Sequence, residues 1–470
     1  MESPSPLGRA LLVRSPRLCP GDPLHNHPIR VDSPVPRPSA CPGLLRIVPA
    51  LDGGICRIKL AGGNLSSAQA RAIAVAAEQC ASGVLELTNR SNLQIRGVRP
   101  TAEQALIERL LTADLGPRNP AADDVRNLLL SPAAGLDPQA LLDTRPLADE
   151  LLGLLQDNPA LHALSAKFAL QLHGGEALAM LEHPHDLWLS ALPGQPARLA
   201  FGLAGCPGDT PLGVVNAEQA VQLVEQLLML FLQLAGGEHS RMRQLLAVTP
   251  PQQLLQQLQA RLPFPLQPAP GLWQRAPAIA RSPIGIYPQQ QAGLCMVAAG
   301  ARLGRIDAMQ LRALADLTEQ YGDASLRLTP WQGLLLPNIP TAAAAAVLHG
   351  LSELGLLTDA HDPLSQLIAC SGSAACGKGL ANSKADALRL AELLRASRAR
   401  PQVHLSACPR SCAAAHVAPF TLLAAADGRY QLYQRTPQLP GFGQLLAAAM
   451  TIDQAGDWFA AHCATGNSDA

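Results

Sequence analysis

The sequence is short of charge, aromatic rings and lysine. Of 470 residues only 15% are charged and 3% aromatic, and the lysines are four: Lys59, Lys167, Lys378 and Lys384. Acidic and basic residues balance at 36 each, so no charge excess draws the chain to nucleic acid or to an anionic membrane. So few rings offer no stacking platform for bases. No run of about 18 apolar residues escapes a charge, proline or polar break, so no transmembrane helix is expected. No export signal is read at the start, where Ala10-Leu11-Leu12-Val13 is short and is followed by Arg14. A reducing, cytoplasmic compartment is therefore expected, in which the 11 cysteines read as metal or redox ligands before disulfides. No G-x-G-x-x-G follows a strand, so a bound nicotinamide is not expected. Electrons would come from a separate reductase or ferredoxin.

What is present supports sizeable cores: 48% of residues are apolar, in a length that predicts about two to four domains. Residues 1–40, rich in Pro, Ser and Arg, read as a disordered tail; His25 and His27 fall there. Residues 41–115 form a compact unit. Ile55 to Leu60 alternates like a strand, Ser66-Ser67-Ala68-Gln69 resembles a capping box opening a helix to about Cys80, and strands follow at Val84–Leu87 and Leu93–Val98.

That order returns some 240 residues later. Gly293-Leu294-Cys295-Met296-Val297 echoes Gly54-Ile55-Cys56-Arg57-Ile58, a helix is predicted from about Asp307 to Tyr321, and Leu326-Arg327-Leu328-Thr329-Pro330-Trp331-Gln332 echoes Leu85-Glu86-Leu87-Thr88-Asn89-Arg90-Ser91. The offset is 239 at the cysteines and 241 at the threonines. One long-period duplication implies two halves related by a pseudo-twofold axis, not a solenoid of short repeats. The fold class expected is α+β, with one paired half at 41–115 and the other, together with a linker, at 266–345. Two mixed α/β domains complete it, one at 116–265 and one at 346–470. Within the former, Asp124-Val125-Arg126-Asn127 heads a strand, Ala166 to Leu172 is a second strand, and 216–235 is an amphipathic helix. Pro250 to Pro283 reads as a linker.

The strongest chemical signal is Cys370-x5-Cys376, then 31 residues, then Cys408-x3-Cys412. Four thiolates on two small-residue loops can wrap one [4Fe–4S] cube, since each iron needs one outside ligand. Zinc is the rival, although its paired cysteines usually stand two to four residues apart. The remaining cysteines lack paired spacing and read as small buried hydrophobes or tail thiols.

These cysteines, on a chain with a duplicated ferredoxin-like half, resemble the sirohaem-dependent sulfite and nitrite reductases. Thr88-x-Arg90-x-x-x-Gln94 looks like that family's T-x-R-x-x-x-Q turn, Arg126-Asn127 like its R-N strand start, and Lys167-Phe168 like the first part of its K-F-K. The resemblance implies that the basic residues hold tetrapyrrole carboxylates and oxyanion substrate, and that Cys412 bridges cluster to sirohaem iron. One departure stands out. The second lysine of K-F-K is Ala169 here, which should weaken a buried sulfite site, because each uncompensated charge costs several kcal/mol on burial.

The run Cys41 to Gly54, with Leu87 to Gly97, is similar to the precorrin-3B synthase branch of the family. That resemblance implies an oxidoreductase of monooxygenase type in aerobic cobalamin biosynthesis: precorrin-3A, O2 and reducing equivalents give a hydroxylated lactone, precorrin-3B. Sirohaem and precorrin-3A are both methylated, partly reduced tetrapyrroles with eight carboxylates, so a pocket shaped for one can hold the other as substrate. Arg90, Arg96, Arg126 and Lys167 would pair its carboxylates, with Lys378 and Arg410 as weaker candidates and solvated surface charge as the alternative for each. A mononuclear non-haem iron is one way to activate O2, and His361-Asp362, His404 and His416 are available, though no spacing singles them out. Trp331 stands where Arg90 stands in the first half and reads as core or as an apolar cleft wall. The alternatives are a sirohaem-dependent sulfite or nitrite reductase, with sirohaem as cofactor, and a non-enzymatic tetrapyrrole or Fe–S binding module. No catalytic residue is assigned.

Overall fold

The computed structural model describes residues 41–271, 275, 283–436 and 439–463. The expected tail at 1–40 lies outside them, as does much of the end of the expected linker.

Two five-stranded antiparallel sheets form the centre. The first runs in the order Val48–Ala50, Gly53–Ile58, Leu93–Val98, Val84–Leu87, Arg305–Asp307. The second runs Gly285–Pro288, Leu294–Gly300, Gly333–Pro340, Ser325–Leu328, Asn64–Ser66. Each half thus lends its short strand to the other's sheet: Ile306 stands opposite Leu85, and Leu65 opposite Leu326. The strands at Val84–Leu87 and Leu93–Val98 fall where the alternation places them.

The helices that follow the lent strands, Ser67–Cys80 and Ala308–Tyr321, start alike. Ser66 and Asp307 each accept from a backbone N–H three residues on, and Gln69 and Gln310 each close the capping box. The two helices pack together under reciprocal ion pairs: Arg71 meets Glu319 at 2.8 Å, and Arg312 meets Glu78. A contact made once in each direction is what a twofold interface produces. Beneath them, Ile58, Ile73, Ile95, Leu311, Leu326 and Leu336 share one buried core.

The two mixed domains have the same topology as each other. In the middle domain, Leu128–Leu130, Leu170–His173 and His185–Leu192 are parallel, and Arg198–Gly205 and Gly213–Asn216 extend the sheet antiparallel. In the last domain, Leu367–Ala369, Val403–Ser406 and Phe420–Ala426 are parallel, followed antiparallel by Arg429–Gln434 and Gln444–Met450. A helix connects the first two strands in both, Arg145–Asp157 and Ser383–Ser397, and another follows the fifth strand, Ala220–Ala235 and Ile452–Cys463. The repeated strand order therefore extends to the mixed domains as well as the halves.

Three expectations need correction. Pro251–Gln259, inside the expected linker, is a helix whose Leu254 and Leu258 are buried in the middle domain's core; an i, i+4 leucine pair after an N-terminal proline carries that signal. The strand expected from Ala166 begins at Leu170, because Phe168 turns inward to pack on Phe231, with ring centroids 4.7 Å apart. The helix Ala344–Glu353 buries Val347 and Leu351 in the shared core of the halves, so the second half extends past residue 345.

Candidate functional site: four thiols over a charged sheet face

Cys370 and Cys408 lie just beyond the carboxyl ends of two adjacent parallel strands, Leu367–Ala369 and Val403–Ser406. Loops at that end of an open sheet are where ligands are held. The loops are stitched together: Leu380 N–H donates to the Ala407 carbonyl at 2.9 Å, and Ala407 N–H donates to Cys370 Sγ at 3.2 Å. The Ser383 hydroxyl lies 3.3 Å from the same sulfur. Gly372 has φ +67°, and a Cβ there would meet the Ser383 backbone nitrogen at 2.7 Å. Only glycine takes that conformation in that space. All four cysteines are free thiols. Partial enclosure pushes the Cys412 thiol up, and so do the negative charges of Cys408, Cys370 and Cys376. Cys412 thus lies within electrostatic reach of the other three thiols, and four cysteines are the number of outside ligands that a [4Fe–4S] cube requires.

The floor under these loops is one face of the first half's sheet. Side chains alternate across a strand, and in the register Arg57 faces Gln94, Ile55 faces Arg96, Glu86 faces Gln94, and Arg305 faces Glu86. The opposite face, with Cys56, Ile58, Leu85 and Ile95, is core. Glu86 is the hub of the charged face. Arg305 Nε donates to it at 2.8 Å, Arg96 at 3.3 Å and the Ser371 hydroxyl at 3.2 Å, with Lys384 Nζ 3.7 Å away. Burial raises the Glu86 carboxyl, but Lys384, Arg96 and Arg305 outweigh it and hold the group below its ordinary value.

Arg96 is therefore not a free carboxylate receptor, contrary to expectation. Its Nε and Nη2 donate to both oxygens of Asp52 at 2.8 and 2.7 Å, and Nη2 also lies 3.4 Å from the Ala375 carbonyl in the cysteine loop. Its fork is used inside the protein, where it ties the sheet to the loop.

The T-x-R turn is placed as expected. Thr88 Oγ1 accepts from the N–H groups of Arg90 and Asn92, at 3.3 and 3.1 Å, and Ser91 takes φ 55°. Gln332, its counterpart in the second half, has φ 60°. Asn89 Nδ2 reaches the Cys412 carbonyl at 3.5 Å. Burial pushes Arg90 down to about 10, with the like charges of Arg241 and Arg57 adding to the shift. Burial also depresses His185 to about 3, helped by Arg90, and depresses His183. Arg57 was not foreseen. It lies within electrostatic reach of Cys412 and Cys41, and Gln94, with its amide oxygen turned toward Arg57, accepts from Nε and Nη2 at 3.2 and 2.7 Å. The strand alternation Ile55, Arg57, Lys59 was the available signal.

Arg126 lies in a separate cavity of about 340 Å³ with Lys59, Arg145 and Arg327. Lys167 is exposed in the turn before Leu170. Ala169 is buried, and its N–H donates to Asp186 Oδ2 at 2.9 Å. Lys378 and Arg410 are exposed. Trp331 lines a larger cavity, about 480 Å³, with Asn89, Ala413, His183 and His416. The rings of His183 and His416 stand 5.0 Å apart, and His404 is buried in its strand. Asp362, beside His361, instead caps the turn at Leu364 and pairs with Arg395 at 3.2 Å. Among the described residues, no three His, Cys, Asp or Glu side chains form a group for a single metal ion, so the candidates for a mononuclear iron do not assemble as expected. Among the described residues, too, no helix is long and apolar enough to cross a membrane.

Comparison with known proteins agrees with this architecture. The profile of the nitrite/sulfite reductase ferredoxin-like half domain matches residues 49–113 and 287–354, and that of the nitrite and sulphite reductase 4Fe-4S domain matches 121–266. The latter falls on the middle domain, the copy that shares the topology of the cysteine-bearing one. The chain is 29% identical over 392 residues to the chloroplastic ferredoxin–nitrite reductase of Zea mays, covering 77% of this chain and 68% of that protein. It spans about two thirds of the length of such plant relatives; for the spinach protein the share is 65%. It is 26% identical over 397 residues to a precorrin-3B synthase of Sinorhizobium sp, covering 83% of this chain and 82% of that protein. The structure of the Mycobacterium tuberculosis NirA protein superposes with a TM-score of 0.73 at 21% identity, over 89% of this chain and 82% of that one.

Proposed function

We propose, from the premise that this chain belongs to the nitrite/sulfite reductase family and is an oxidoreductase with an iron–sulfur cluster, that it is a precorrin-3B synthase. Cys370, Cys376, Cys408 and Cys412 would hold a [4Fe–4S] cluster, which supplies single electrons when bound. The substrate would be precorrin-3A, seated beside the Arg90 turn. There Arg57 and Arg90 pair its carboxylates, and His183 and His185 stay neutral as hydrogen-bonding groups. Arg126 would pair a further carboxylate from the cavity it shares with Lys59, and Lys167 another from its exposed turn. One oxygen atom of O2 enters the ring and the other leaves as water, using two electrons and two protons. A ferredoxin or a separate reductase is the donor, as the plant relatives, named ferredoxin–nitrite reductases, suggest.

The observation that carries the reading is Ala169. Where a sulfite site needs a second lysine, a methyl group is buried and the local carboxylate, Asp186, is taken by Arg241 at 2.9 Å and by the Ala169 N–H. Incubation of the anaerobically purified chain with precorrin-3A, a reductant and isotope-labelled O2, followed by mass analysis, should show one labelled oxygen in the product. Unchanged precorrin-3A would overturn the reading. The second reading, a sirohaem-dependent nitrite or sulfite reductase, is favoured by the 28–29% identity to nitrite reductases. It predicts sirohaem absorption in the purified protein and nitrite or sulfite turnover.

A further inference from the structure

The third strand of each mixed domain is entered past a histidine. His183 stands two residues before His185–Leu192, and His416 four residues before Phe420–Ala426. The two rings meet where the middle and last domains face each other, with centroids 5.0 Å apart and planes tilted by 31°. Both line the cavity of about 480 Å³, together with Asn89, Ala413 and Trp331. Among the described residues the pair gains no third metal ligand.

The two ends of the pair differ. On the outer side, His416 Nε2 lies 3.8 Å from Glu182 Oε2, and Glu182 Oε1 lies 3.6 Å from Arg435 Nη1. Glu182 and Arg435 are exposed, and the His416 side chain keeps 14% of its surface in solvent. On the inner side, His183 is buried, hydrogen-bonds the backbone of Asn89 and lies within electrostatic reach of Arg90 and His185. Asn89 in turn reaches the Cys412 carbonyl. The line thus runs from a solvated carboxylate to the Arg90 turn.

Between these ends, Nδ1 of His183 and Nδ1 of His416 are both buried without a hydrogen-bond partner. Packing alone does not account for that, because buried polar atoms are nearly always paired and an unpaired one is costly. A water in the cavity that the rings share satisfies both nitrogens. The charged and titratable groups that face the pair are Glu182, Arg435 and His404 at His416, and Arg90 and His185 at His183. Burial holds His183 well below the ordinary histidine value, and His416, His185 and Arg90 add to the shift. Burial lowers His416 too, with Arg435, against the pull of Glu182. Both rings are therefore neutral at rest, and each keeps a lone pair to receive a proton in passing.

We propose that Glu182, His416 and His183 form a proton path from solvent to the cleft beside the Arg90 turn. His416 takes up a proton at Nε2, on the Glu182 side, and releases one at Nδ1 to the shared water. His183 accepts it at Nδ1 and passes it to the oxygen that leaves as water. For each O2, two protons travel inward and two electrons arrive from the donor. The O–O bond breaks, one oxygen forms a C–O bond on the macrocycle and the other departs as water. That acceptor rests on the functional reading above; the path does not, since reduction of nitrite consumes protons as well.

The cluster-loaded full chain is assayed with precorrin-3A, a reductant and O2, and separately with nitrite. His416→Ala should lower kcat about a hundredfold and leave KM for the macrocycle little changed. Imidazole in the buffer should restore turnover in proportion to its concentration, which a merely structural loss would not allow. Glu182→Gln, an exposed change, should move the alkaline fall of kcat to lower pH, because the carboxylate that favours the charged ring is gone. If the wild type turns over nitrite and not precorrin-3A, the functional reading fails and the same variants test the path on nitrite. If it turns over neither, hydrogen–deuterium exchange at the imidazole C2 positions, read by mass spectrometry, decides: His183 should exchange several-fold more slowly in His416→Phe than in the wild type. The path is overturned if His416→Ala keeps the wild-type kcat, if imidazole fails to restore a lost rate, or if His183 exchange is unchanged in His416→Phe. Should His416→Ala fail to fold, an unmoved pH profile in Glu182→Gln overturns it instead.

Discussion

The hydroxyl of Ser371 lies 3.2 and 3.3 Å from the two carboxylate oxygens of Glu86. Ser371 follows the first cysteine of the set, and Glu86 sits in a sheet some 285 residues earlier in the chain. That contact, with the Arg96 contact to Ala375, fixes where the cysteine loop stands relative to the arginine turn.

Replacing Glu86 by Gln leaves Arg96, Arg305 and Lys384 around a neutral group. Breaking a buried ion network by removing one partner costs about 3–5 kcal/mol. Chemical denaturation of the apo-protein should show a loss of that order, and the reconstituted protein should hold less iron. An unchanged midpoint and full iron loading would refute the hub role.

Cys408→Ser and Cys412→Ser should each abolish the brown visible absorption of anaerobic preparations and lower bound iron from about four per chain. Cys206→Ser, on a thiol outside the set, should change neither. Retention of colour in Cys408→Ser would remove the cluster assignment.

His185 is buried, and its folded value of about 3 lies below the ordinary 6.5. The folded state therefore binds fewer protons than the unfolded one. The contribution to stability is complete above about 6.5 and is lost progressively as pH falls from 6.5 toward 3, by up to a few kcal/mol for a group so displaced. A series of unfolding curves over that range should flatten in His185→Gln; an identical pH slope in both proteins would contradict the assignment.

Arg57→Met should weaken tetrapyrrole binding by about tenfold or more, since it removes a charge-assisted contact from an enclosed site. Fluorescence quenching by uroporphyrin would measure it. Equal affinities would place the macrocycle elsewhere.

The helix starts offer a stability control. Ser66→Ala should cost about 1 kcal/mol through the lost cap, whereas Arg71→Ala, on an exposed pair, should cost less than about 1 kcal/mol. Thermal unfolding would rank them, and the reverse order would mean that the reciprocal pairs carry the helix contact.

Much of the halves was legible in the sequence, because alternation, a capping box and a 240-residue echo are local or self-referential signals. Ser66 and Asp307, Leu85 and Leu326 fell where those signals put them. The four cysteines stand out in the sequence because thiols at such spacing have few other uses, and the structure sets Cys370 and Cys408 at the ends of adjacent strands. The common topology of the two mixed domains was not, since their shared pattern is one of strand order, and the middle copy has apolar residues, Ala133, Leu136 and Leu178, packed on Met296 and Leu335 where the other has cysteine loops.

By itself the sequence determined the duplicated α+β frame, the cysteine set and the Arg90 turn. Tertiary structure decided which arginines are free to meet a ligand. Arg96 and Arg57 stand on neighbouring strands of the same sheet face, yet one is spent on Asp52 and Glu86, while the other meets the neutral Gln94 amide and lies within electrostatic reach of Cys412. A guanidinium is written the same way whether its partner is a carboxylate of the protein or one brought by a ligand. Only the distance to that partner, set by strand register and by loops hundreds of residues away, separates the two.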